Sequence, residues 1–212
     1  MIKIEFTDVY GWKAAIRGMR NPMNSWDKSD SNCSTIIKFE GGKYIEDFLG
    51  EKDLDLMKRL VKAGSDHAKF MRFIDVTCDI TAPFYWWKEF DTYKVGTVAN
   101  SCSTMHKIHA SPLKLEDFSY EHLTKISRNV LNVTIEALNS SRRAFNENKD
   151  EGEWWQMIQL LPTSYNQRRT VKLNYAVLRN MYHARKNHKL DEWLDFCTWI
   201  ESLPYSELIT MR

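Results

Sequence analysis

The stretch VGTVANSCSTMH holds six polar or small positions within nine residues: Gly96, Thr97, Asn100, Ser101, Ser103 and Thr104. Hydroxyls, an amide and accessible backbone N–H groups at that density suit the cradling of a phosphate or the edge of a pyrimidine. A turn that satisfies its own backbone draws on the same residue types. Composition leaves both readings open.

A second set follows near the C-terminal end. Asn174, Leu178, Met181 and Arg185 step by four, three and four residues. On a helix predicted over 171–186, Asn174 and Arg185 then share a face about three turns apart. Asn180 lies roughly 120° away around the axis. An arginine in a last turn complements the helix dipole or snorkels to water, whereas an amide on an apolar face needs a partner. Arg168, Arg169 and Lys172 come just before this face, at the expected helix start, where basic residues are either solvated or placed for anion capture. The histidines, His67, His106, His109, His122, His183 and His188, include no His-x-x-x-His with an adjacent Glu. No metal site is expected from them. There is no P-loop, no Gly-x-Gly-x-x-Gly and no Gly-x-Ser-x-Gly.

The bulk properties narrow the class. The chain has 212 residues, 43% hydrophobic and 27% charged, which suits one domain over 1–212 with a sizeable core. The formal net charge is only +2, and a polymeric nucleic-acid partner calls for a larger basic excess. Cys33, Cys78, Cys102 and Cys197 are far apart and form no Cys-x-x-Cys, so they read as reduced thiols. MIKIEFTDVY lacks a signal-peptide pattern. No window approaches the ~20 apolar residues of a bilayer span. The expectation is a cytoplasmic protein without a membrane partner.

The elements that must position these residues follow from periodicity. IKIEF alternates like a strand, and Asp8 is placed to cap a helix running to about Arg20. NPMNSWDKSDSNCS is a loop, and TIIKFEGGKY a strand with Gly41-Gly42 as a turn. A helix is expected over 53–63. Residues 71–81 form a strand with Arg72, Ile74, Val76, Cys78 and Ile80 on one face and Met71, Phe73, Asp75, Thr77 and Asp79 on the other. A short aromatic helix runs from Phe84 to about Tyr93. The long run 119–147 carries two apolar stripes: Leu123, Ile126, Val130, Val133 and Ala137, and Leu131, Ile135 and Leu138. Two stripes imply burial on more than one side, in part against another subunit. Helices are also expected over 151–161 and 190–203. The fold class is α+β, a small antiparallel sheet packed with several long helices.

Taken together, the pieces resemble the flavin-dependent thymidylate synthases. The order runs from AAIRGMRNPM and DLDLMKRLVKAG through a strand ending in Ala-Pro, an aromatic helix and the polar loop to Leu-Pro and NYAVLRNMYHAR. The family's last helix reads like N-A-R-S-L-x-N-F-x-x-x-R. Asn174, Leu178, Asn180 and Arg185 match it, while Met181 replaces an aromatic and Ala176 an arginine. The family's loop, R-H-R-x-x-S-x-N-E-x-S-x-R-Y, is strongly altered. Its first three positions fall on Thr92, Tyr93 and Lys94, its first Ser on Thr97, its Asn on Asn100, its Glu on Ser101 and its second Ser on Ser103. Its Arg-Tyr falls on Met105-His106, and the Gln before it on Glu89.

The resemblance implies FAD, NADPH and methylenetetrahydrofolate as cofactors, dUMP or a similar pyrimidine nucleotide as substrate, and a homotetramer whose sites combine several subunits. It implies C5 methylation or a related C5 modification. Arg185, Ser101, Ser103, Glu89 and Lys94 would contact the nucleotide. Asn174, Asn180, Lys94, Thr97 and Asn100 would contact the cofactor. No residue is singled out as catalytic. Lys94 alone cannot reproduce the bidentate contacts of the missing arginines, so Arg72, Arg168 and Arg169 are candidate replacements. The alternatives are a divergent, non-methylating nucleotide-binding or structural protein on the same fold, and a helical interaction protein whose aromatics are core only.

Overall fold

The computed structural model describes residues 2–32, 37–40, 43–44 and 49–212, with side chains for 2–32 and 49–212. Cys33 and the Gly41-Gly42 turn lie outside the described residues. The fold class is α+β. Among the described residues its six strands are β1 (Lys3–Tyr10), β2 (Ile37–Glu40), β3 (Lys43–Tyr44), β4 (Asp75–Pro83), β5 (Val98–Ser101) and β6 (Asn166–Asn174). They form one sheet in the order β3-β2-β1-β4-β6-β5. β1 pairs antiparallel with β2 through Asp8↔Lys38 and Val9↔Ile37. β2 pairs antiparallel with β3 through Phe39↔Tyr44 and Glu40↔Lys43.

The chain groups into two compact units. The first comprises Met1–Lys3, Thr81–Thr92 and Asn100–Arg169; the second comprises Ile4–Ile80, Tyr93–Ala99 and Thr170–Arg212.

In the first unit, α3 (Phe84–Phe90) buries Trp86, Trp87 and Phe90. The rings of Trp86 and Trp87 meet edge-on at 4.8 Å. The remaining helices are α4 (Thr104–Lys107), α5 (Lys125–Asn148) and α6 (Glu151–Leu160). Leu131, Ile135 and Leu138 of α5 and Met157 of α6, with Ile108 just past α4, pack with Phe118 in one buried cluster. α5 starts six residues later than periodicity predicts. Residues 118 and 119 are held instead by a bridge between Phe118 and Tyr165 and by Ser119 N–H donating to the Ser164 carbonyl at 2.8 Å. Thr124 then caps the helix, its hydroxyl accepting from Ser127 N–H at 3.3 Å. Only Leu131, Ile135 and Leu138 are buried on α5. The other stripe is exposed on this chain, with Ile126, Val130 and Val133 at 78%, 62% and 65%.

In the second unit, α1 (Trp12–Arg20) begins at Gly11 rather than Asp8, which is a β1 residue. Gly11 has φ +97°, and a Cβ there would sit 1.9 Å from the Phe73 carbonyl oxygen, so only glycine fits. α2 (Glu51–Lys62) buries Met57 and Val61. The strand predicted from residue 71 starts at Asp75, because Ala68–Phe73 coil as a 3-10 helix that buries Phe70 and Met71. From there the alternation is as expected, with Val76, Cys78 and Ile80 inward.

The largest departure is at 171–174. Val171 and Leu173 are buried while Lys172 is exposed, a two-residue period that belongs to β6. The helix α7 is Tyr175–Arg185, burying Tyr175, Leu178, Met181 and Tyr182. Asn174 is its cap, so the shared helical face of Asn174 and Arg185 does not form. Arg168, Arg169 and Lys172 are strand residues, not a helix start. α8 (Asp191–Glu201) and α9 (Glu207–Thr210) complete this unit.

Candidate functional site

The polar loop is partly ordered secondary structure: β5, a break at Cys102 and Ser103, then the single turn α4. Ser103 caps that turn, its hydroxyl accepting from His106 N–H at 3.1 Å. Beside it, within the first unit, lies a cavity of about 550 Å³. Lys107, Lys114 and Arg168 line it, against one carboxylate, Asp117, so its surface is net positive. Asp117 is already in use, accepting from Lys114 N–H at 2.8 Å. Ser103, Thr104, Ser111 and Tyr165 add hydroxyls. Burial, with the charges of Asp117 and Cys102, pushes the Tyr165 phenol above its ordinary value. It therefore stays protonated near neutral pH and can donate. Such a wall suits a phosphorylated, hydrogen-bonding ligand.

The cavity's loop is braced from β6. Cys102 N–H donates to the Arg168 carbonyl at 2.9 Å. The buried Gln167 returns the bond, its Nε2 donating to the Cys102 carbonyl at 2.8 Å. Gln167 is itself oriented by Arg169, whose Nε donates to Oε1 at 2.9 Å. Arg169 lies 4.2 Å over the Trp87 ring and pairs with Asp91 at 2.7 Å. Trp87 Nε1 donates to the Gln167 carbonyl at 2.9 Å. The adjacent arginines therefore have different roles. Arg168 lines the cavity, and Arg169 is a structural tie.

In the second unit, Arg185 Nε donates to the Tyr93 hydroxyl at 2.9 Å. Its guanidinium lies 4.8 Å over the buried ring of Trp193. Gly96, φ +79°, packs under α7: a Cβ there would lie 2.9 Å from Val177 Cγ2 and 3.1 Å from Asn174 Nδ2. The Asn174 side-chain oxygen, Oδ1, accepts from Val177 N–H at 3.0 Å. The Thr97 hydroxyl donates to the Tyr93 carbonyl. Tyr93–Thr97 is thus a self-satisfied turn tied to both ends of α7.

A separate pocket of about 370 Å³ in the same unit has Val61, Ala68, Met71 and Ala176 as apolar lining. Ser65, Arg72, Arg179 and Asn180 supply its polar groups. Arg179 is held by the C-terminal carbonyls, its Nη1 donating to Ile209 O at 3.0 Å and also to Met211 O. Burial lowers its pKa.

The candidates therefore divide. Ser103 lines the first unit's cavity, and Asn100 and Ser101 are exposed on β5 in that unit. Glu89 is half-buried on α3. Lys94 is exposed, with no hydrogen bond or ion pair among the described residues. Asn180 joins Arg72 in the second unit's pocket, away from Asn174. Lys107 and Lys114 line the cavity without any mark in the local sequence pattern. They lie beyond the polar stretch, and only the fold of 107–117 back onto β6 marks them. Among the described residues no cluster of three or more His, Cys, Asp or Glu could hold a metal ion, and no helix is long and apolar enough to cross a membrane.

No family model and no curated protein sequence matches the chain. Solved structures do. The flavin-dependent thymidylate synthase ThyX of Helicobacter pylori, complexed with FAD and dUMP, matches with a TM-score of 0.68 at 16% identity, over 97% of this chain and 96% of that one. A second structure of that enzyme with FAD and dUMP gives 0.68 at 15% identity, over 98% and 96%. A UMP/dUMP methylase, PolB from Streptomyces cacaoi, bound with 5-Br dUMP, gives 0.62 at 14% identity, over 99% and 95%.

Proposed function

We propose that the chain, which has the flavin-dependent thymidylate synthase fold along nearly its whole length, is an enzyme of that kind, binding dUMP or a similar pyrimidine nucleotide and modifying C5 of the base with FAD, NADPH and methylenetetrahydrofolate. The observation that carries this reading is the positive, hydroxyl-lined cavity beside the polar loop. Arg168, Lys107 and Lys114 would hold the phosphate, and Ser103 and the Tyr165 phenol would meet polar edges of the ligand. Ser101, Glu89, Lys94 and Arg185 are kept as further nucleotide contacts on the resemblance.

The pocket of Arg72, Arg179 and Asn180 fits one end of a flavin cofactor. Its apolar lining suits a flat ring, and its guanidiniums suit a diphosphate. FAD bound there would supply hydride chemistry. Asn180 and the two arginines would fix its position; Asn174, Thr97, Asn100 and Lys94 are the remaining cofactor contacts proposed from the resemblance. Replacing the C5 hydrogen by a methyl group would take a methylene unit from methylenetetrahydrofolate and a hydride from NADPH by way of the flavin, leaving tetrahydrofolate and NADP+ and releasing the C5 hydrogen as a proton. The exposed stripe of α5 is the surface proposed for homotetramer assembly.

One observation favours the alternative, a nucleotide-binding or structural protein without methyl transfer. The Thr97 hydroxyl and the Asn174 side-chain Oδ1 are spent on the chain's own backbone. The test is titration of purified protein with FAD and with dUMP. Quenching of FAD fluorescence and calorimetric dUMP binding, both saturable, are expected. dUMP binding without FAD binding would select the alternative.

A further inference from the structure

A third cavity, of about 300 Å³, lies in the second unit between α1 and the 25–32 segment. Lys13, Arg17, Arg20 and Trp26 line it, with Ser29, Ser31 and Asn32. Nothing in the proposed reaction uses it.

Its floor is fixed by a buried ion pair. Arg20 Nη2 lies 2.6 Å from Asp53 Oδ1, with side-chain exposures of 5% and 0%. Arg20 Nη1 donates to the Ser25 carbonyl at 3.1 Å, and Nη2 to the Lys28 carbonyl at 3.1 Å. Asp53 Oδ2 accepts from the hydroxyls of Ser29 and Ser31, each at 2.6 Å. Arg20 is therefore neutralised and saturated, and it holds the wall of the cavity in place. Lys13 and Arg17, one turn apart on α1, are exposed and make no hydrogen bond or ion pair among the described residues. Among the described residues the cavity is lined by two unspent cations and no carboxylate.

The opposite wall is Trp26. Trp26 is 52% exposed, although an indole face is costly to leave in water. It does not swing freely, because its Nε1 donates to Asn21 Oδ1 at 2.8 Å. A pinned aromatic face beside two cations one helical turn apart has the two elements that bind a stacked base and its phosphate.

We propose that this cavity is a second ligand site, for a nucleoside phosphate, with the base on Trp26 and the phosphate on Lys13 and Arg17. Stacking is tolerant of base identity, so a purine nucleotide is accepted here. The site is independent of the C5 chemistry proposed above.

The test is calorimetric titration of the full chain with AMP, adenosine and inorganic phosphate. AMP should bind at least tenfold more tightly than either fragment, since both halves contribute. The double variant Lys13→Ala/Arg17→Ala and the single variant Trp26→Ala should each weaken AMP about tenfold or more. Trp26→Phe, which keeps a ring, should retain most of the affinity and guards against a loop that fails to fold. Arg168→Ala, in the other unit's cavity, should leave AMP binding unchanged. AMP affinity indifferent to Lys13 and Arg17, or lost in Arg168→Ala, overturns the proposal. Phosphate binding as tightly as AMP overturns the nucleotide assignment.

Discussion

Cys102 and Arg168 are joined through the backbone: the Cys102 N–H donates to the Arg168 carbonyl at 2.9 Å. Sixty-six positions apart in sequence, they bring the polar loop and the basic end of β6 to one cavity. Arg168→Ala should therefore weaken dUMP binding about tenfold to a hundredfold, the cost of a lost charge-assisted phosphate contact. Lys107→Ala and Lys114→Ala should each weaken it less. Calorimetry reads the affinity, and an unchanged melting temperature separates lost binding from lost structure.

Gln167 should act on that cavity without touching the ligand. Gln167→Leu removes the donor to the Cys102 carbonyl and leaves the Arg169 Nε without its acceptor. About 1–3 kcal/mol of stability should be lost. Hydrogen exchange should speed up at the amides of 100–106 ahead of global unfolding. Uniform exchange across the first unit would contradict the local brace.

Arg185 is packed as well as charged. Its contact with Trp193 and its bond to Tyr93 together should make Arg185→Ala destabilising by about 1–3 kcal/mol, seen as a lower melting temperature. If Arg185 also holds the nucleotide, dUMP affinity falls at least tenfold in a variant that is still folded at the assay temperature. Tyr93→Phe, which removes only the hydroxyl, separates the two effects.

Acid should loosen the 25–31 segment through Asp53. Burial alone would raise its pKa, but bonds from Ser29, Ser31 and Arg20 and the Arg20 charge outweigh it, and the pKa is lowered. A carboxylate with a lowered folded pKa contributes stability that is fully present above its unfolded value of about 3.9 and is lost as pH falls through the folded value. Thermal melts between pH 7 and pH 2 should show a steep acid decline below about pH 4 that is shallower in Asp53→Asn. At pH 7 Asp53→Ala, which strands a buried guanidinium, should cost about 3–5 kcal/mol.

Charge placed on the exposed stripe of α5 should prevent self-association. Val130→Glu/Val133→Lys should convert the assembled species to monomer in light scattering while circular dichroism is unchanged. An unaltered mass would move the subunit contact off this stripe.

An element is legible in the sequence where one period dominates. Residues 76–80 alternate and are a strand; 151–160 step helically and are a helix. Legibility ends where periods meet. Val171 and Leu173 satisfy a helical count only if Tyr175 and Leu178 are counted with them, and the change to β6 is set by pairing with strands distant in sequence. The same limit hid the site. Ser103 and Arg168 could each be named as candidates, yet only the fold joins them, and Lys107 and Lys114 carry no local mark. The Arg20–Asp53 pair, 33 positions apart, was equally invisible. It lies between a helix end and a helix start that each look ordinary alone.

The central claim is C5 chemistry on a pyrimidine nucleotide, and replacing the C5 hydrogen must release it. The direct measurement is tritium release to water from dUMP labelled at C5, with FAD, NADPH and methylenetetrahydrofolate present. Time-dependent release that requires FAD and is reduced at least tenfold in Arg168→Ala is predicted. No release from protein shown by calorimetry to bind both FAD and dUMP would contradict it.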